Sequence, residues 1–215
     1  TRTMNTLLHV LEAYTELYRV SNDKTIAGRF IKWEIQTAEY KIKIAQDIVN
    51  IFMQKIKNDI LNGAVPIYTR SGEVYKKTNE LVDANFKEDI VSGIRDVKVS
   101  SDVQLNSVMA TSFTGDISIQ TAHPFYTVAL LFLMDLRHEL THVIDTIVPA
   151  ISPLDPDIRT NAAMYYEWRD NDLYENNPWE LLANTKRKEC REQIQAMLDS
   201  QEQSLSNNVQ HIEGR

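Results

Sequence analysis

Two histidines four residues apart, His138 and His142, with a glutamate directly after the first, make Arg137-His138-Glu139-Leu140-Thr141-His142-Val143-Ile144-Asp145 the stretch best equipped for chemistry. On an α-helix, positions i and i+4 share a face. Both imidazoles can therefore converge on one metal ion, with Glu139 standing at the edge of that face as a base. Asp135, His138, His142 and Asp145 follow one another at spacings of 3, 4 and 3, a polar stripe on an otherwise apolar rod. Burying that stripe without partners would cost about 1–3 kcal/mol for each unsatisfied group, and a metal would satisfy it. The competing reading is a surface helix whose charged stripe faces water.

The motif needs a helix beneath it. Upstream runs Pro124-Phe125-Tyr126-Thr127-Val128-Ala129-Leu130-Leu131-Phe132-Leu133-Met134, a proline suited to a first helical turn followed by mostly apolar residues, with no breaker until Pro149. The pattern predicts one helix of about 25 residues. Its apolar run of about ten residues is too short to span a bilayer, which needs about 20, so it is expected as a buried core helix.

The elements around it predict an α+β fold, predominantly helical. Leu7, Leu11, Tyr14 and Tyr18 mark a helix over 4–19, and the capping residues Ser21-Asn22-Asp23 open a longer one that closes at Asn62-Gly63. Ile31, Ile35, Ala38, Ile42, Ala45, Val49, Phe52 and Ile56 form a heptad seam along it, and Ile44, Ile48 and Ile51 widen the apolar stripe beyond a two-helix contact. Residues 1–63 are therefore expected as a helical hairpin, packed on a third element or, through a homo-oligomer, on another chain. Residues 64–205 hold the motif. Within them are a short helix from Asn79 to about Val91, closed near Gly93, and strand-like alternations at Val97-Lys98-Val99, Val103-Gln104-Leu105, Ser107-Val108-Met109 and Gly115 to Gln120. Pro149 to Pro156 stops the motif helix, an aromatic helical patch covers 160–168, and a final helix runs from Pro178 to about Ser200. Residues 206–215 read as a polar tail whose last four, Ile212-Glu213-Gly214-Arg215, match a protease recognition sequence.

A formal charge of -7 and a pI near 5.3 argue against a nucleic-acid or anionic-membrane surface, and the basic run Lys186-Arg187-Lys188 reads as a solvated helix face. One cysteine, Cys190, excludes an intramolecular disulfide and is compatible with a reducing compartment. No signal peptide or transmembrane segment is visible, so a cytoplasmic location is expected.

A catalytic zinc takes three protein ligands and keeps a fourth position for water. After His142 only His211 remains, so the third ligand is sought among acids. Tyr174-Glu175-Asn176-Asn177-Pro178-Trp179-Glu180-Leu181-Leu182-Ala183-Asn184, coming after the His-Glu-x-x-His motif, resembles the asn-pro-x-glu-x-x-ala segment of small gluzincin-type zinc metallopeptidases, including ones common in phage and prophage genomes. The resemblance covers about a quarter of the chain and leaves out the N-terminal helices. It implies a zincin-like core with a small edge sheet, and places the third ligand role on Glu180. It also implies a partner for His138 at Asn184, an amide where a carboxylate is usual. Glu180 has a second reading. With Asn177 as N-cap and Pro178 at the first helical position, it stands where a capping-box glutamate turns back to its own helix. Glu167 and Asp145 are the reserves, Asp145 more as an outer partner than as a ligand.

The resemblance implies a zinc-dependent endopeptidase acting on a protein or peptide substrate, with His138, His142 and Glu180 holding Zn2+, Glu139 as base and Tyr174, placed by its closeness to Glu180, as an oxyanion donor. Tyr165, Tyr166 and His123 are further candidates for that donor. The last strand before the motif helix is expected to be the edge strand that takes an extended peptide. A catalytically silent zincin-like module, of a virion for example, is the alternative, and hydrolysis of a non-peptide amide would use the same residues.

Overall fold

The computed structural model describes residues 37–68, 73–74, 80–154 and 176–213, with backbone alone at 80–83, 127 and 197–213. The helix expected over 4–19, Ile31 and Ile35 of the seam, the aromatic patch at 160–168 and Tyr174 lie outside these residues.

Helix α1 spans Ala38–Leu61. It starts later than the capping residues near Asp23 suggest, because Thr37 holds extended backbone and its hydroxyl accepts from Tyr40 N–H at 3.2 Å, a first-turn donor that a continuing helix would not leave open. It ends as expected: Gly63 at φ +65 lets its own N–H reach Ile60 O at 3.1 Å and Ala64 N–H reach Asp59 O at 2.8 Å. Ala45, Val49, Phe52 and Ile56 of the seam are buried, joined by Ile48, Met53 and Ile60. They share one core with Ile117 and Ile119 of the sheet and with Phe132, Leu136, Leu140 and Val143 of the motif helix, so the described residues on both sides of Gly63 pack together. Helix α2, Glu80–Ser92, closes at Gly93 as expected and lies against α1.

Three short strands follow: β1 Val99–Ser101, β2 Met109–Thr111 and β3 Ile117–Ile119. The Val103-Gln104-Leu105 alternation forms no strand. Sheet order is β1-β3-β2, with β3 parallel to β1 and antiparallel to β2. This corrects the edge assignment, since β3, the last strand before the motif helix, lies at the centre. Its Ile117 N–H donates to Lys98 O at 2.8 Å on one side while Met109–Thr111 pairs on the other. Strands β1 and β2 are the two edges, and β2 is the one that packs on the motif helix.

The motif helix, α3, spans Ala129–Ile147. Pro124–Thr127 forms a separate 3-10 turn, with His123 Nδ1 accepting from Phe125 N–H at 3.2 Å, and extended Val128 breaks the single rod expected from Pro124 onward. Pro149 ends α3 as expected, forcing the preceding Val148 out of helical geometry. The final helix, α4, spans Pro178–Glu213, continuing past the expected end near Ser200 through the stretch read as a tail. Among the described residues no helix is long and apolar enough to cross a membrane.

The β2–β3 hairpin is seated on the end of α3 by Gly115. Its φ is +79, and an added Cβ would lie 2.6 Å from Ile147 Cδ1. Gly115→Ala should therefore lower unfolding free energy by about 1–3 kcal/mol, more than Gly63→Ala, whose Cβ would meet the movable Lys87 Nζ at 3.1 Å. Denaturant unfolding of the two variants checks the order.

Candidate metal centre

Helix α4 packs along α3 as that helix's principal partner. It buries Trp179, Ala183, Cys190 and Ile194, which recur at helical spacing on one face. The Asp135–Arg187 and His142–Glu180 contacts show that the two helices run antiparallel. The stripe on α3 is thus answered by residues of α4 and not by water.

Glu180 lies in the first turn of α4, 2% exposed. Its Oε2 is 3.2 Å from His138 Nε2, its Oε1 is 3.5 Å from His142 Nε2, and the two ring nitrogens are 3.1 Å apart. The cap is made by Asn177, whose Oδ1 accepts from Trp179 N–H at 3.0 Å. Asn177 and Pro178 start the helix while the Glu180 carboxylate crosses to α3, so the contest between cap and crossing side chain resolves toward the crossing. The three residues form the metal-capable group among the described residues.

Glu139 is 6% exposed, next to His138 on the motif helix. Thr111, on edge strand β2, donates its hydroxyl to Glu139 Oε2 at 2.8 Å and also contacts Glu139 backbone O at 3.1 Å, which fixes the carboxylate's direction. Asp135 takes the Tyr126 hydroxyl on Oδ2 at 3.2 Å and the Arg187 guanidinium on Oδ1 at 2.7 Å. Burial first, and then the Asp135 charge, push the Tyr126 phenol far above its ordinary range, so it remains a donor. Asp145 accepts from buried Ser152 Oγ at 2.6 Å and is not in the metal-capable group. Burial pushes the Cys190 thiol up to about 11, leaving it protonated and inert at the same helix interface.

The structure therefore brings His138, His142 and Glu180 together, with Glu139 beside them, as the sequence predicts. Tyr174, Tyr165, Tyr166 and Glu167 lie outside the described residues, and His123 is engaged in capping its own turn. Asn184 does not accept from His138. It is exposed, roughly 120° around α4 from the face that carries Trp179, Ala183 and Cys190, and His138 Nδ1 has no hydrogen-bond partner among the described residues. Sequence reasoning missed Thr111, Tyr126 and Arg187. No pattern marks the first two. Arg187 could have been found by matching intervals, because it follows Glu180 by seven residues as Asp135 precedes His142 by seven. Of the basic run, Lys186 pairs with Glu189 and Lys188 with Glu192 on α4 itself; Arg187 alone of the three crosses to α3.

One ligand atom from each of His138, His142 and Glu180 lies within 4.8 Å of the other two, close enough for small side-chain adjustments to draw them into a tetrahedral shell with metal–ligand bonds of about 2.0–2.2 Å. Two imidazoles and one carboxylate are also a donor set that zinc accepts. The residues fit the ion. Without it, His142 is the group whose charge responds to pH. Burial is the largest influence on His142 and opposes its charging, but the bond to Glu180 and the charges of Glu139, Glu180 and Asp145 together raise its pKa above the ordinary 6.5. A raised folded pKa stabilises fully below the unfolded value and loses that contribution as pH rises through the folded one. Chelator-treated protein should therefore melt at falling temperature as pH is raised from about 6 through the His142 pKa. Zinc-loaded protein should gain over the same range, because the metal competes with protons for the same nitrogens. Glu180→Gln should flatten the slope of the metal-free protein in differential scanning calorimetry.

Comparison of the chain with models of known protein families, with curated proteins and with solved structures finds no match.

Proposed function

We propose that the chain is a zinc-dependent hydrolase of peptide bonds, with His138, His142 and Glu180 as ligands and Glu139 as general base. The observation that carries this reading is the Glu180 carboxylate, buried and turned across the helix interface onto two imidazoles although a cap position was open to it. Stability does not require that choice, since an apolar residue there would avoid burying a charge.

Zinc bound at these residues supplies a Lewis acid that polarises a carbonyl and brings the pKa of water toward about 7. Glu139 takes the proton of the attacking water and delivers it to the leaving amine. Thr111 keeps one carboxylate oxygen of Glu139 engaged, so the other is the proton carrier. Strand β2 has one side without a strand partner among the described residues. An extended peptide added along that side by main-chain hydrogen bonds would pass Thr111 and so lie beside Glu139.

Glu139→Gln should keep zinc at one equivalent while lowering hydrolysis of a generic labelled protein by about 10²–10⁴-fold. Loss of zinc from this variant, or full turnover, would remove Glu139 from the role of base. Zinc uptake by the wild type with no turnover would leave a structural metal site instead of an enzyme. Glu180→Ala tests the ligand set: the difference in melting temperature between zinc-loaded and chelated protein should collapse, because an ion stabilises only the form that binds it. A difference as large as that of the wild type would sink the assignment.

A further inference from the structure

Glu180 sits in the first turn of α4, at the end of a helix, yet must meet two nitrogens within 3.2 and 3.5 Å. A slip of one helical turn along α3 would move it about 5.4 Å, more than the length of either contact. Apolar packing of Trp179, Ala183, Cys190 and Ile194 sets which face of α4 turns inward. Such contacts are non-directional and specify the axial register less sharply than a directed polar bond.

The Asp135–Arg187 pair supplies the missing constraint. From Glu180 to Arg187, and from Asp135 to His142, the interval is seven residues, about 10.5 Å of helix in each case. Two polar contacts 2.7 and 3.5 Å long therefore span the same distance on both helices and are satisfied at one register. Asp135 is itself anchored independently of α4. Its Oδ2 takes the Tyr126 hydroxyl at 3.2 Å, and the Tyr126 carbonyl accepts from the buried Lys41 ammonium of α1 at 3.0 Å. The chain Lys41, Tyr126, Asp135, Arg187 runs from α1 to the helix that carries Glu180. We infer that Asp135 and Arg187 are positioning residues, a register clamp that presents Glu180 to His138 and His142; this rests on the metal centre proposed above.

Arg187 is 40% exposed and Asp135 only 15%, so a lowered melting temperature fits either role, and a clamp and a merely structural pair separate at the metal. The test uses the full chain and the variants Arg187→Met, Arg187→Lys and Asp135→Asn. Zinc affinity is measured against a chromophoric chelator, and the cobalt-substituted protein gives a visible spectrum that reports coordination. Arg187→Met and Asp135→Asn should weaken zinc about 10–100-fold, as loss of outer partners of a metal site does. Both should change the cobalt spectrum as the carboxylate withdraws, and Arg187→Lys should restore most of the affinity. Wild-type affinity and an unchanged cobalt spectrum in Arg187→Met would overturn the clamp while leaving the metal centre standing. Should the wild type bind neither metal, the metal centre fails and a cycle of Arg187→Met with Glu180→Gln in metal-free protein decides the clamp. Residues about 10 Å apart ordinarily act additively, so non-additive melting shifts support it and additive ones refute it.

Discussion

A carboxylate with 2% of its surface exposed, facing two imidazole nitrogens, is the constraint to which the described part of this molecule answers. Removing a charged group from water costs several kcal/mol even after relaxation, and only a charge of opposite sign with well-placed partners offsets it. A proton shared with His142 does so in part and only at lower pH. A divalent cation would do so over the whole neutral range and would satisfy both ring nitrogens as well.

Much of the architecture follows from bringing that carboxylate to its place. The two histidines need one helix, and α3 is buried on its other face against α1 and the sheet, which leaves the polar stripe to face α4. Glu180 needs α4 to begin within reach of His138, which Asn177 and Pro178 bring about by starting the helix there. The Glu139 carboxylate is held in one direction by Thr111 of the β2 edge, with the hairpin pinned onto α3 where Gly115 meets Ile147. One set of contacts thus joins the core, the helix pair and the sheet edge around a few side chains.

The parts legible in the sequence were those set by local periodicity. The i, i+4 spacing of His138 and His142 requires only a helix, and the apolar run after Val128 secures one. Asn62-Gly63 announced the end of α1 because a positive φ there has a residue signature. Glu180 was legible only as a choice, since the same position serves a capping box and a ligand, and the outcome depends on a partner 38 residues away in His142. Strand order was not legible: β3 alternates clearly because both Ile117 and Ile119 face the core, and that pattern is the same for a central and an edge strand. The break at Val128 was hidden because a proline at the start of a helix and a proline at the start of a 3-10 turn look alike. Arg187 was obscured by its two lysine neighbours, which do face their own helix while it crosses to Asp135.

The central claim is that His138, His142 and Glu180 hold one zinc ion in a four-coordinate shell. Zinc-edge X-ray absorption of protein loaded with one equivalent of the metal tests it most directly. The account predicts two imidazole nitrogens and light oxygen ligands at about 2.0–2.2 Å, with the imidazole signature halved in His142→Ala. Zinc lost on simple dialysis, or a shell without imidazole scattering, would contradict it.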